Sequence, residues 1–495
     1  MIKRLLLGLL ALLLVLAVLV AVNTLRQGSR QIEVPALAPL ALDKEAAARH
    51  LSEAIRARTV SSRDDAALNA DQFAQLHAML QARYPKAHSV LKREVVGDLS
   101  LLYTWQGSDP KARPIMLMAH QDVVPIAPGT EKDWTVDPFA GTVKDGFVWG
   151  RGSWDNKGNL IAQMEAFELL AAAGFKPQRT IYLVAGADEE VAGLRGARQI
   201  AALLKERGVR LEFVIDEGMV ITEGILPGVT RPVAIIGVAE KGYVSVVLRL
   251  SGKPGHSSMP PAKGGSAIAM MSAALKRIDD EQLPAAIRGV AGEMFGTLAP
   301  EMAGFSRVAL SNLWLFGPLV QKQLEAAPST NAMLRTTTAL TMANAGNKEN
   351  VLPGQAEATV NFRLLPGDTI ATVLERVKGQ VKQATGSDSF ELYALPGGNE
   401  ATGISSTASA PYRLLNTTVR EVFPGTLVTP GLYLAGSDSI HFVALSDNVF
   451  RFSPIRVKPE DVPRLHGTNE RISVDNLAEL IRFYHRLISA GAQAS

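Results

Sequence analysis

Three clusters of acidic or histidine residues, each following a short apolar run, carry side chains from which a metal-assisted hydrolase can be built. His120-Gln121-Asp122 ends the run "RPIMLMAH" that begins at Arg113. A neutral imidazole is a good metal ligand, and a nearby carboxylate can fix its tautomer and raise its basicity. Taken alone, the group reads more readily as a surface turn after a strand. Asp188-Glu189-Glu190 ends "RTIYLVAGADEE", and Asp216-Glu217 ends "RLEFVIDEG". Adjacent carboxylates repel one another, so inside a fold they need cations; an exposed acidic loop is the alternative. Asp155, in "GRGSWDNKGN", precedes an apolar-periodic stretch. There it is either a helix N-cap or a carboxylate that bridges two metal ions. His466, in "RLHGTNERISVDN", would pass for a loop histidine if the other clusters were missing. Cysteine is absent, so any metal site must draw on His, Asp, Glu and water, and disulfides and a thiol nucleophile are excluded.

The elements that must position these groups follow from periodicity. The three apolar runs have the length of buried strands, and helical patterns at 158–173 and 194–208 separate them. Strands alternating with helices of this length predict an α/β fold with a mostly parallel sheet. Ligands then belong at the carboxyl ends of the strands, where the acids and histidines gather. Further helices are expected at 43–59, 69–83 and, at the end, 474–489.

After Ala239 the pattern changes. Residues 241–251 alternate, 267–278 look helical, 356–364 alternate again, and a helix at 369–383 precedes a strand at 390–395. This order predicts an inserted α+β domain, with an irregular middle at 281–333 read as an elaborated helical or loop region. The expected division is an N-terminal hydrophobic segment (1–25), a spacer with Pro35 and Pro39 (26–42), and a catalytic domain in two stretches, 43–239 and 399–495, on either side of the insert (240–398).

Residues 5–22 run apolar for 18 positions behind Lys3 and Arg4, just long enough to cross a bilayer. No small-x-small cleavage site follows, so the segment reads as an uncleaved membrane anchor with an exported body, or a secreted one if it is a cleaved signal. Lys plus Arg, 51, nearly balances Asp plus Glu, 48, and the basic residues form no stripe, which argues against nucleic acid as a partner.

Together the spaced blocks resemble the M20 metallopeptidase family from about residue 45 to the end. The "AEKG" junction at 239–242 and the long insert look most like its carboxypeptidase S and N-fatty-acyl-amino acid hydrolase branch. The resemblance implies a zinc-hydrolase catalytic domain with an inserted lid or dimerisation domain. It makes His120, Asp155, Glu190, Asp216 and His466 the ligands of two zinc ions, with manganese or cobalt as substitutes. Asp155 would bridge, His120 and Asp216 would complete one ion, and Glu190 and His466 the other. Asp122 would orient His120, and Glu189 would be the general base.

From the insert, the resemblance makes His256 in "GKPGHSS" an oxyanion partner, in its own chain or from a dimer mate, so a homodimer through the insert is one expected partner. Asn350 in "ENVLPG" and Arg363 in "VNFRLLPG" match residues that grip a substrate near its carboxylate, which a guanidinium can pair bidentately. In "GSDSIHF" (436–442), Ile440 stands where relatives of this branch often have arginine. Isoleucine cannot hold a carboxylate, although it can line an apolar pocket. Ser437, Asp438 and His441 are candidate lining residues, with core packing or a loop cap as the alternative.

The activity expected is hydrolysis of the amide bond of a small N-acyl amino acid or a C-terminal peptide bond. A dipeptidase or aminopeptidase using the same metals is the alternative. A serine hydrolase would need a Gly-x-Ser-x-Gly elbow, which the sequence lacks. A binding module would have no use for Glu189 beside a full ligand set.

Overall fold

A computed structural model describes residues 1–493. Its chain divides into two compact units, the first formed by Met1–Val238, Glu293–Ser311 and the residues from Ser405 on, the second by Ala239–Gly292 and Asn312–Ile404.

In the first unit an eight-stranded sheet has the order Lys92–Val96, Ser100–Trp105, Ile181–Gly186, Ile115–His120, Phe213–Thr222, Val449–Val457, Val233–Glu240, Leu427–Tyr433. The four strands from Ile181–Gly186 to Val449–Val457 run parallel. The hairpin at one edge is antiparallel, and so is Val233–Glu240 against Val449–Val457 and Phe213–Thr222. Every residue of Ile115–His120 is buried, as expected of a strand covered on both faces. Leu102, Met116, Met118, Val184 and Val214 pack on Ile200 and Leu204 of the helix Ala197–Glu206. The helix Lys157–Ala172 is buried along most of its length and packs with the closing helix Val474–Gly491.

The second unit is a four-stranded antiparallel sheet in the order Thr337–Ala345, Gln355–Leu364, Gly242–Ser251, Phe390–Ala394. Alternation places Val244, Val246, Leu248, Val360 and Phe362 on one face, against Met271, Ala274, Val373 and Val377 of the helices Ala267–Asp280 and Ile370–Thr385. The ammonium of buried Lys241 donates to the carbonyls of Ala332 and Arg335, at the end of the helix Pro328–Leu334.

The expected insert was one run, 240–398, whereas Glu293–Ser311 groups with the first unit. Thr407 donates to Glu293 at 2.5 Å, Arg231 lies 3.7 Å from Glu301, and Met294 and Leu298 are buried. At the other boundary Asn399 and Tyr243 exchange backbone bonds, and Thr402 donates to the Glu240 carbonyl, which keeps the chain with the second unit as far as Ile404.

The apolar N-terminal segment is one helix, Ile2–Arg26, exposed to its last turns. The spacer behind it lies along the body. Asn23 and Gln27 both donate to the Ser311 carbonyl. The Gln31 amide group donates to the carbonyl of Val428 and accepts from its N–H, on the edge strand of the large sheet. Leu37 N–H donates to the Glu421 carbonyl.

Candidate metal centre

The clusters meet where the parallel strands end. His120, the last residue of its strand, is buried and donates from Nδ1 to the Asp122 carbonyl at 2.9 Å. That assignment leaves Nε2 as the lone-pair nitrogen, 2.9 Å from Asp155 Oδ1, 3.3 Å from Glu217 Oε1 and 4.0 Å from Glu189 Oε2. On the far side of Asp155, Oδ2 is 3.0 Å from His466 Nε2, which lies 3.4 Å from Glu190 Oε1. The helix behind Asp155 begins at Lys157 with Asn156 at its cap, so Asp155 is not spent as an N-cap.

The fully buried Asp122 carboxylate holds the turn after the strand Ile181–Gly186: Oδ1 accepts the Glu189 N–H and Oδ2 accepts the Glu190 N–H and the Ser61 hydroxyl. Asp216 and Glu217 sit within the longer strand Phe213–Thr222. The oxygens of Asp216 accept the backbone N–H groups of Glu217 and Ser439. Glu217 is the acid that reaches His120, and Asn156 donates to its other oxygen.

Sequence reading gave no role of their own to Glu217, Arg151 or Glu470. Glu470 Oε1 accepts the N–H groups of Gly152, Trp154 and Asp155, and Oε2 pairs with Arg151 at 2.7 Å. Arg151 in turn donates to the carbonyls of His466 and Gly467, tying the loops of Asp155 and His466 together.

Two groups offer ligand atoms within 4.8 Å of one another: His120, Asp155 and Glu190; and His120, Glu189 and Glu217. Burial pushes the Glu189 carboxyl well above its ordinary value, with Glu217, Asp438 and Glu190 adding to it and His120 opposing. Burial and the Asp155 charge raise Glu217 to about 8. His466 is raised to about 10 by hydrogen bonds to Asp155 and Glu190, while burial opposes. Burial also opposes charging of His120, yet Glu217, Asp122 and Asp155 together lift it well above the ordinary imidazole range. Acids crowded in this way demand positive charge beyond two imidazoles, and divalent ions supply it. Glu190 Oε1, buried with only the long 3.4 Å contact to His466 Nε2, is a donor atom that a cation would satisfy. With no thiolate in the donor set, the residues fit a dinuclear site for zinc, manganese or cobalt.

The other expected site residues fall in two places. Asp438 is buried beneath the Glu189 turn, so close to Gly186 and Gly193 that a Cβ on either would lie 2.3 or 2.0 Å from its carboxylate. Ser437 and Ser439 share a 2.7 Å hydroxyl contact, and His441 donates to the Ala192 carbonyl at 3.1 Å. In the second unit, exposed His256 pairs with Val351 on a short ribbon, its Nδ1 2.8 Å from the Ser258 hydroxyl, and Asn350 accepts the Ser257 N–H beside it. Arg363 stacks over the Tyr243 ring at 4.8 Å.

A buried imidazole among carboxylates placed to hold two ions makes up the working parts of a metallohydrolase. Residues 116–490 match the model of peptidase family M20/M25/M40, and the chain belongs to that family. It is 40% identical over 441 residues to N-fatty-acyl-amino acid synthase/hydrolase PM20D1 of Xenopus tropicalis, covering 88% of this chain and 84% of the relative. It is 36% identical over 497 residues to probable carboxypeptidase S-like 2 of Dictyostelium discoideum, covering 98% and 93%. The M20 family metallo-carboxypeptidase Sso-CP2 of Sulfolobus solfataricus shares the fold, with TM-score 0.63, 17% identity, and 90% and 99% of the two chains covered. The protein is thus a binuclear metal-dependent hydrolase of the carboxypeptidase and aminoacylase type, acting on amide or peptide bonds.

Proposed function

We propose that this protein hydrolyses N-acyl amino acids at a two-zinc centre, with Glu189 as the proton carrier. The observation behind the reading is the pair of triads sharing His120, with His466 facing the second oxygen of Asp155. The name N-fatty-acyl-amino acid synthase/hydrolase carried by several relatives supports that substrate class. His120, Asp155, Glu190, Glu217 and His466 would hold the ions, Asp155 offering one oxygen toward each histidine. Glu217 takes the place expected of Asp216, whose oxygens are engaged by backbone amides. When bound, the ions supply polarisation of the amide carbonyl and a lowered pKa for the attacking water.

Glu189 then accepts the proton of that water as the C–O bond forms, and returns it to the nitrogen as the C–N bond breaks. Asp122 holds Glu189 and Glu190 by their amides and fixes the His120 tautomer through its carbonyl. His256 is proposed as the oxyanion donor, and Asn350 and Arg363 as the grip on the substrate carboxylate. The Ile2–Arg26 helix is proposed as a membrane anchor with the body exported, or as a signal whose cleavage yields a secreted form. The strand Thr337–Ala345 is proposed as a contact for a second copy: among the described residues it pairs on one side only, and it exposes Leu340 and Met342.

The reaction is tested with N-acetyl and long-chain N-acyl amino acids and free dipeptides, offered to metal-loaded and chelated protein. Metal-dependent release of amino acid from the N-acyl series is expected; turnover confined to dipeptides, or resistant to chelation, overturns the reading. Glu217→Ala is expected to lower bound metal from two ions toward one per chain, while Asp216→Asn keeps two. Elemental analysis giving the reverse would return the ligand role to Asp216.

A further inference from the structure

We propose that a chamber beside the metal centre, within the first unit, is the acyl-chain site and selects substrates with a medium-length or longer aliphatic acyl group. The inference rests on the N-acyl amino acid reading above. The chamber holds about 240 Å³, and Asp155 and Glu217 are among the residues that line it. The remaining wall is mainly Trp154, Val220, Ile225, Val457, Val462 and Leu465.

Its polar lining groups are already satisfied within the protein. Asn159 donates to the Ser453 hydroxyl at 2.8 Å and accepts from Tyr484 at 2.9 Å, and the Thr222 hydroxyl donates to the Val233 carbonyl. None of the lining residues is Lys, Arg or His, so the chamber offers nothing to the carboxylate end of an N-acyl amino acid. It suits the other side of the scissile bond, and it suits hydrocarbon.

A chamber of about 240 Å³ has room for an aliphatic chain of several carbons. Val462 and Leu465, 52% and 44% exposed, continue the apolar surface outward, so a longer chain keeps contact beyond the chamber. Tight apolar contact raises kcat/KM by about fourfold for each methylene buried.

The test compares kcat/KM across N-acetyl, N-butanoyl, N-octanoyl and N-dodecanoyl derivatives of one amino acid, using full-length metal-loaded protein and two variants. Ile225→Trp fills the chamber, and Val462→Asp places a charge on its exposed rim, where folding is not at stake. The parent is expected to gain steeply from acetyl to octanoyl. Ile225→Trp is expected to cut the octanoyl-to-acetyl ratio by about tenfold or more, the equivalent of losing about two buried methylenes. Val462→Asp is expected to lower the dodecanoyl-to-octanoyl ratio. A parent that cleaves the series with a flat chain-length profile, or ratios that neither variant moves, overturns the chamber assignment alone. A parent that cleaves none of the series overturns the hydrolase reading beneath it.

Discussion

Glu189→Gln is expected to keep two metal ions per chain and to lose about 10³-fold in kcat, within the range for removing a positioned general base. The amide has the shape of the carboxylate and leaves intact the backbone bond from residue 189 to Asp122. What it cannot do is take a proton from water and return it to nitrogen. Glu189 also stands in one of the two ligand-like triads, with its oxygen 4.0 Å from His120 Nε2. Metal content therefore decides between two roles for the same carboxylate. Full metal with lost turnover marks a base, whereas loss of an ion marks a ligand. Near-parental turnover excludes both.

The second large effect is expected far from the attacking atom. Glu470→Ala should destabilise the fold by about 3–5 kcal/mol, the usual penalty for removing one partner of a buried ion pair. Arg151 and Glu470 are only 2% and 0% exposed, and the mutation would strand a buried guanidinium and three backbone N–H groups. Burial raises the Glu470 carboxyl above its ordinary value, with Arg151 and the Asp155 and Trp154 amides opposing, so the pair carries a real desolvation cost. Its worth lies in position: one side fastens Asp155, the other fastens the carbonyl of His466. Weakened metal affinity should accompany the loss of stability. Denaturant unfolding within about 1 kcal/mol of the parent would remove the pair from this role.

The sequence was most readable where burial leaves a simple mark. Ile115–His120 is covered on both faces, so it reads as an unbroken apolar run, and its histidine stands out at the end. The alternation of Gly242–Ser251 likewise announces a sheet with one covered face. Asp216 and Glu217 mark a choice that the sequence leaves open. Consecutive residues on a strand point to opposite faces, and nothing local says which face meets the cleft. The pairing of Arg151 with Glu470 spans 319 positions and leaves no local pattern at all. Between 281 and 333, Gly289, Gly304, Pro318 and Pro328 break the helical period, so the sequence leaves helix and loop both open where the chain forms the helices Gly289–Leu298 and Leu313–Glu325. Leu427–Tyr433 contains Pro430-Gly431, normally a turn signal, and is tolerated because the strand ends the sheet.

The Gln31 clasp on Val428 changes what the stretch behind the hydrophobic helix can be. A leash of that length would let the body swing and sample a wide shell of space. Stitched to Ser311, Val428 and Glu421, it behaves as a bracket that fastens the foot of the helix to the body. Cutting the chain near Val22 would leave the body unfrayed, because the residues beyond the cut stay laced to it.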